Sequence, residues 1–249
     1  MATLNFKENK PKGQIIITGA AGGMGMATCE LLAQKGYQIL AVDHNKDRLE
    51  KLQNADSTIT PIITDLNDPQ LTLKVSEAIN PAIPVVGLVN LVGVSKGHAL
   101  DQLTDQDWDE AFAINVTPAM KLTRLLAPLM RQQKYGSIVN VGSPVGVIGA
   151  RKPNYAASKA ALQGLTMSCA RNLGADNIRV NLLLPGPTIT YMTEDWDVNK
   201  RAEIAKGTFL NRLCTPKEIA NVIAFLISDE SSYITGSIID MTSGSMYGH

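Results

Sequence analysis

Gln14-Ile-Ile-Ile-Thr-Gly-Ala-Ala-Gly-Gly-Met-Gly25 is the stretch that decides the fold. Its first five residues, Gln14–Thr18, are built around three consecutive isoleucines that put apolar side chains on both faces, as expected of a strand buried between two layers. Four glycines follow within seven residues, and a helical pattern then continues to about Lys35. Glycine is needed where a chain turns tightly, approaches a bound group closely, or packs a helix against a strand. The helix start behind such a turn presents unpaired N–H groups and a partial positive charge to an anion. A glycine-rich loop alone says little. A strand before it and a helix after it supply the context a pyrophosphate site requires.

The same alternation repeats outward from this turn. Tyr37–Asp43, Thr58–Thr64 and Val85–Val92 read as further strands, separated by helices over Asn45–Asn54 and from Asp68 to about Ile79. A long helical region is expected from Thr104 to about Gln133, bent near Pro118. Strands at Gly136–Val141, Ile178–Leu184 and Ser237–Met241 alternate with helices at Asn154–Leu173 and Pro216–Ile227, and the stretch from Pro185 to about Lys206 reads as a loop. Strands apolar on both faces, each followed by a helix, demand a parallel sheet covered on both sides. Right-handed crossovers then leave a ligand crevice at the carboxyl ends of the strands. The expectation is a Rossmann-like α/β fold, a doubly wound parallel sheet, forming a single domain over residues 1–249.

Composition narrows the function. The 249 residues are 45% hydrophobic and 18% charged, with 23 basic and 23 acidic side chains, so no basic excess marks a nucleic-acid partner. Cys29, Cys169 and Cys214 lie far apart, without metal-ligand spacing, which argues for reduced thiols and no metal site. Met1–Lys12 is polar and lysine-containing rather than signal-like, and the apolar runs are too short to span a bilayer. A cytoplasmic protein with no membrane partner is expected.

The turn has the spacing Thr18-Gly19-x3-Gly23-x-Gly25 rather than the commoner Gly-x-Gly-x2-Gly. In this the chain strongly resembles the short-chain dehydrogenase/reductase family, and the resemblance extends from Gly13 to Gly244. It implies a nicotinamide cofactor on the turn residues Thr18, Gly19, Gly23, Met24 and Gly25. Asp43 closes the second strand, eighteen residues beyond Gly25, where a carboxylate can accept bonds from ribose hydroxyls. A 2′-phosphate there would face that carboxylate at a cost of roughly 4 kcal/mol per charge pair, so NAD(H) is expected over NADP(H). Lys46 and Arg48 lie near enough to soften the preference, and Asp43 could alternatively serve as a helix cap. The resemblance also assigns Asp65 and Leu66 to the adenine.

Tyr155-Ala-Ala-Ser-Lys159 places a phenol and an ammonium on one helix face. A tyrosine titrates near 10 and is a poor base at neutral pH unless a nearby positive charge stabilises the phenolate. Lys159 would supply that charge. Of the six tyrosines only Tyr155 has a lysine at this offset. Ser143, twelve residues earlier and just beyond a strand, can hold a substrate oxygen beside the phenol; as a bare residue it could equally be a turn serine. The resemblance implies Ser143, Tyr155, Lys159 and Asn115 as the catalytic set. Asn115 would position a water beside Lys159, and Tyr155 and Lys159 would also touch the cofactor.

Asn90-Leu-Val-Gly93 stands where the family usually has Asn-Asn-Ala-Gly, so Val92 is expected to crowd the cofactor while Asn90 and Gly93 keep their contacts. Pro185 and Gly186 match the stretch leading to the nicotinamide, with Thr188 and Thr190 as candidate contacts beyond it. Asp240-Met-Thr-Ser-Gly244 replaces the family's usual Asp-Gly-Gly ending.

Specificity is expected in the loops Val94–Leu100, Pro144–Pro153 and Thr188–Asn211, with Pro185–Lys206 as a lid. Lys96, Arg151 and Lys152 could hold an anionic substrate or be merely solvated, Trp196 could cap an apolar one, and Tyr191 and Met192 lie in the same loops. His44, His98 and His249 have no partner pattern and receive no role. The leading expectation is an NAD(H)-dependent oxidoreductase interconverting a secondary alcohol and a ketone, assembled as a homotetramer. The alternatives are a 3-oxoacyl thioester reductase, a catalytically silent nucleotide sensor and a methyltransferase on a similar first unit.

Overall fold

A computed structural model of the chain describes residues 12–190, 193 and 196–247. Ile15, Ile16 and Ile17 are fully buried and point alternately to opposite faces of strand β1 (Gln14–Thr18). Ile15 and Ile17 join one apolar layer with Leu32, Val89, Ile219 and Ile223. Ile16 joins the opposite layer with Leu40, Leu88, Leu122 and Val180. Burying each such side chain contributes about 1.5–3 kcal/mol, so the run can be satisfied only by a sheet covered on both sides.

The chain runs from β1 through α1 (Gly23–Gln34), β2 (Gln38–Asp43), α2 (Lys46–Ala55), β3 (Ile59–Ile63) and α3 (Leu71–Ala78) to β4 (Val85–Asn90). It continues through α4 (Asp105–Asn115), α5 (Thr117–Gln133), β5 (Gly136–Val141), α6 (Val145–Ile148), α7 (Pro153–Leu173) and β6 (Ile178–Pro185). The last elements are α8 (Val198–Lys206), α9 (Pro216–Ile227) and β7 (Ile238–Met241). Seven parallel strands lie in the order β3-β2-β1-β4-β5-β6-β7. The chain works outward from β1 to β3, then returns to place β4 on the other side of β1. Thr18 pairs with Val42 on one side and Asn90 on the other, which marks the switch point where the crevice opens. Pro61 sits in edge strand β3, the position that tolerates a missing donor.

The expected doubly wound sheet is therefore present, with three local corrections. The long helix breaks at Val116 (φ −121°, ψ −52°) rather than at Pro118, which sits in the first turn of α5, where a missing N–H is harmless. Helix α3 starts at Leu71 because the Asp68 carboxylate accepts from the Gln70 N–H and holds Lys74, forming a turn ahead of the helix. The supposed loop from Pro185 to Lys206 contains α8, whose start is capped by Asp197 accepting from the Lys200 N–H. Among the described residues, no helix is long and apolar enough to cross a membrane.

Candidate active site

The turn after β1 is built for close approach. Gly19 has φ +69°, and a Cβ on Gly25 would run into the Gly19 carbonyl, so helix α1 can lie this near the strand only without a side chain there. Gly22 caps α1 without a side-chain bond, which leaves the first N–H groups of the helix to face a ligand. From this turn a crevice of about 640 Å³ crosses the carboxyl ends of the strands.

Along the sheet order, one end of the crevice is lined by Asp65 and Leu66 after β3 and by Asp43, His44 and Arg48 after β2. Gly19, Gly23, Met24 and Gly25 line its middle. Gly93, Ser143, Tyr155 and Lys159 lie toward the other end with Pro185, Gly186, Thr188 and Thr190. An uncapped helix start, a side-chain-free cradle and a crevice reaching an acidic strand end together fit a dinucleotide. His44, given no role in the sequence, belongs to this lining, and its Nδ1 lies 3.4 Å from the Asp43 carboxylate.

Asp43 does more than face the crevice. Its Oδ2 accepts from the Ala21 N–H (3.2 Å) and its Oδ1 from the Asn45 N–H (3.0 Å), tying the glycine turn to the end of β2. The Arg48 guanidinium donates to the Ala21 carbonyl at 3.4 Å. At the lid, Thr190 packs against Gly23, where a Cβ would come within 3.3 Å of its side chain. The Thr193 hydroxyl accepts from the Thr190 N–H and closes this turn of the lid. Trp196 and Lys96 line the crevice, whereas Arg151 does not. Tyr191, Met192 and His249 lie outside the described residues.

Three residues expected at the cofactor or the chemistry stand behind the crevice wall instead. The Thr18 hydroxyl accepts from the Leu91 N–H (3.3 Å), clamping β1 to the end of β4. Asn90 donates to Asn140 (2.8 Å), which in turn donates to Thr166, so this amide joins strands and helix inside the core. Asn115 is the last residue of α4 rather than a mid-helix one. Its amide accepts from the Val94 N–H and donates to the Val94 carbonyl and the Ser158 hydroxyl. Asn115 is committed to that loop through its side chain, because the break at Val116 turns it inward.

Tyr155 and Ser143 line the same crevice, near enough for the serine hydroxyl to act on the phenol's titration. The expected depression of the phenol pKa is absent from the chain by itself. Burial raises it above the ordinary value, and the Ser143 hydroxyl only partly opposes this. Lys159 is buried, 4% exposed, with its ammonium donating to the Val141 (3.1 Å) and Val92 (3.3 Å) carbonyls. Desolvation lowers its pKa to about 8. The pair therefore rests as a protonated phenol beside a weakened cation.

A family model described as enoyl-(acyl carrier protein) reductase matches residues 19–245. A 3-oxoacyl-[acyl-carrier-protein] reductase of Thermotoga maritima is 37% identical over 238 residues, covering 92% of this chain and 96% of that protein. An L-xylulose reductase of Caenorhabditis elegans is 35% identical over 239 residues, covering 93% and 94%. The crystal structure of an oxidoreductase from Burkholderia thailandensis superposes with a TM-score of 0.87 at 28% identity, covering 97% of this chain and 95% of that one.

Proposed function

Because the chain belongs to the short-chain dehydrogenase/reductase family, oxidoreductases that act on CH–OH and C=O groups, we propose that it interconverts a ketone and a secondary alcohol with Tyr155 as the proton-transferring group. The observation that carries this reading is that Tyr155, Ser143 and Lys159 line one crevice together with the glycine turn. A nicotinamide, when bound, supplies the hydride chemistry. Gly19, Gly23, Met24 and Gly25 would hold its pyrophosphate, Asp43, Asp65 and Leu66 its adenosine, and Gly93, Pro185, Gly186, Thr188 and Thr190 its other end.

Ser143 orients and polarises the substrate oxygen. Tyr155, kept protonated at neutral pH by burial, donates its proton to that oxygen during reduction and withdraws it during oxidation. Lys159 stabilises the phenolate that results, and Asn115 secures the loop wall beside it. NAD(H) is preferred over NADP(H), since the Asp43 carboxylate is fixed by two backbone donors and cannot swing away from a 2′-phosphate. A cytoplasmic homotetramer acting on a small-molecule substrate completes the proposal.

A second reading, reduction of a 3-oxoacyl thioester, is favoured by relatives named 3-oxoacyl-[acyl-carrier-protein] reductase and acetoacetyl-CoA reductase. One experiment tests both. A panel of ketones, sugars and 3-oxoacyl thioesters is offered with NADH and with NADPH while nicotinamide absorbance is followed. Tyr155→Phe should lower turnover by about 10²–10⁴-fold and leave NADH binding intact. Retained turnover in that variant removes Tyr155 from its role.

A further inference from the structure

The loop after β4 is held to the helices beside it, one backbone group after another. Lys159 donates to the Val92 carbonyl, and Asn115 grips both polar groups of the Val94 backbone. Lys152 donates to the Ser95 carbonyl at 2.7 Å and Asn154 to the Lys96 carbonyl at 3.2 Å. Three of these four residues, Lys152, Asn154 and Lys159, lie at the start of α7 on either side of Tyr155. Val94 and Lys96 line the crevice. That wall is therefore measured from the helix that carries the phenol.

We propose that Asn154 is a positioning residue that sets the separation between the Tyr155 phenol and the Val94–Lys96 wall, and so the width available to substrate. Asn154 is 1% exposed, and its Nδ2 spends both protons on backbone carbonyls, Lys96 on the loop and Asp107 (2.9 Å) in the first turn of α4. One amide thus joins three elements at the residue before Tyr155. Its Oδ1 is buried without a partner, a penalty that a purely space-filling residue would not retain. The loop meets it closely: Gly97 has φ +92°, and a Cβ there would stand 2.6 Å from the Asn154 Nδ2. A carboxylate at 154 would set oxygen against two carbonyl oxygens and release the wall.

The kinetic part of this inference rests on the oxidoreductase reading above; the structural part does not. Asn154→Asp and Gly97→Ala are compared with the wild type by hydrogen–deuterium exchange over residues 92–100, by NADH binding and by steady-state kinetics. Both variants should exchange faster over that segment and raise the carbonyl substrate's KM by about ten-fold or more, with kcat falling less. NADH affinity should stay within about two-fold. A folded Asn154→Asp protein with wild-type exchange and KM overturns the proposal. So does NADH affinity that falls in step with KM, because Asn154 would then be a general support. If Asn154→Asp does not fold, Gly97→Ala and Asn154→Ser decide by the same readouts. If the wild type reduces no carbonyl, the functional reading fails, and the exchange measurement still decides whether Asn154 holds the wall.

Discussion

A side chain on Gly93 would stand on Lys159: a Cβ built there lies 2.5 Å from the ammonium nitrogen and 2.9 Å from Cε. Lys159 is buried and fixed by two carbonyls, so it can yield only by breaking those bonds and displacing its charge. Gly93→Ala should therefore lower turnover by about 10²-fold, the scale of a 1 Å misplacement at a reacting centre. Overpacking should destabilise the fold by no more than about 1–3 kcal/mol. Steady-state kinetics beside thermal unfolding would separate the two effects, and wild-type turnover in a folded variant would refute the first.

Lys159 also carries a pH signature. Its pKa is about 8 in the folded chain against 10.5 when solvated. Between those values the unfolded chain binds the extra proton, so this group makes the protein more stable as pH rises through that window. Buried tyrosines and thiols, whose pKa values are raised, act in the opposite direction. Comparison with Lys159→Met cancels them. The wild-type advantage over Lys159→Met in unfolding free energy should grow by about 3 kcal/mol between roughly pH 8 and 10.5. Denaturant titrations at a series of pH values would measure it; a constant difference would show that the lysine is solvated.

Much of this was legible in the sequence because backbone and burial dictate it. Ile15–Ile17 could belong only to a strand covered on both faces, and Gly25 only to a helix packed hard on a turn. That Tyr155, Lys159 and Ser143 share the crevice was readable because proton transfer to a carbonyl calls for that residue set. The placement of Thr18 and Asn90 was not legible, because a polar residue at a strand end can face either ligand or core, and here both side chains bond to neighbouring strands. Asn154 gave no local signal. Its partners, Lys96 and Asp107, are distant in sequence, and its hydrogen bonds go to backbone carbonyls that every residue possesses. Helix α8 was hidden by the punctuation before it, although the Asp197 cap was there to be read.

Asp43 supports the glycine turn and, on the proposed reading, also selects the cofactor. Asp43→Ala removes the acceptor for the Ala21 and Asn45 N–H groups and leaves the glycine turn less fixed. NADH should then bind about ten-fold more weakly, the effect of losing a hydrogen-bonded carboxylate worth about 1–3 kcal/mol. NADPH should lose less or gain, because the repulsion with its 2′-phosphate disappears. Dissociation constants for both cofactors on both proteins would test this. A wild type that prefers NADPH would overturn the cofactor assignment outright.

The end of the chain offers a test in which the usual ranking of alanine over glycine reverses. Ser243 adopts φ +54°, a region that penalises any side chain by about 1–2 kcal/mol. Its carbonyl accepts from the Phe209 N–H at 2.7 Å and its hydroxyl from the Leu210 N–H at 3.1 Å, fastening the segment that leaves α8. Ser243→Gly loses the hydroxyl contact but relieves the backbone, so its stability should stay within about 1 kcal/mol of the wild type. Ser243→Ala loses the same contact and keeps the strain, so it should be the least stable of the three by about 1 kcal/mol. Both variants should exchange faster at the Leu210 amide. Thermal unfolding that ranks Ser243→Ala above Ser243→Gly would show that residue 243 leaves the left-handed region in solution, and with it the fastening of α8 to the last strand.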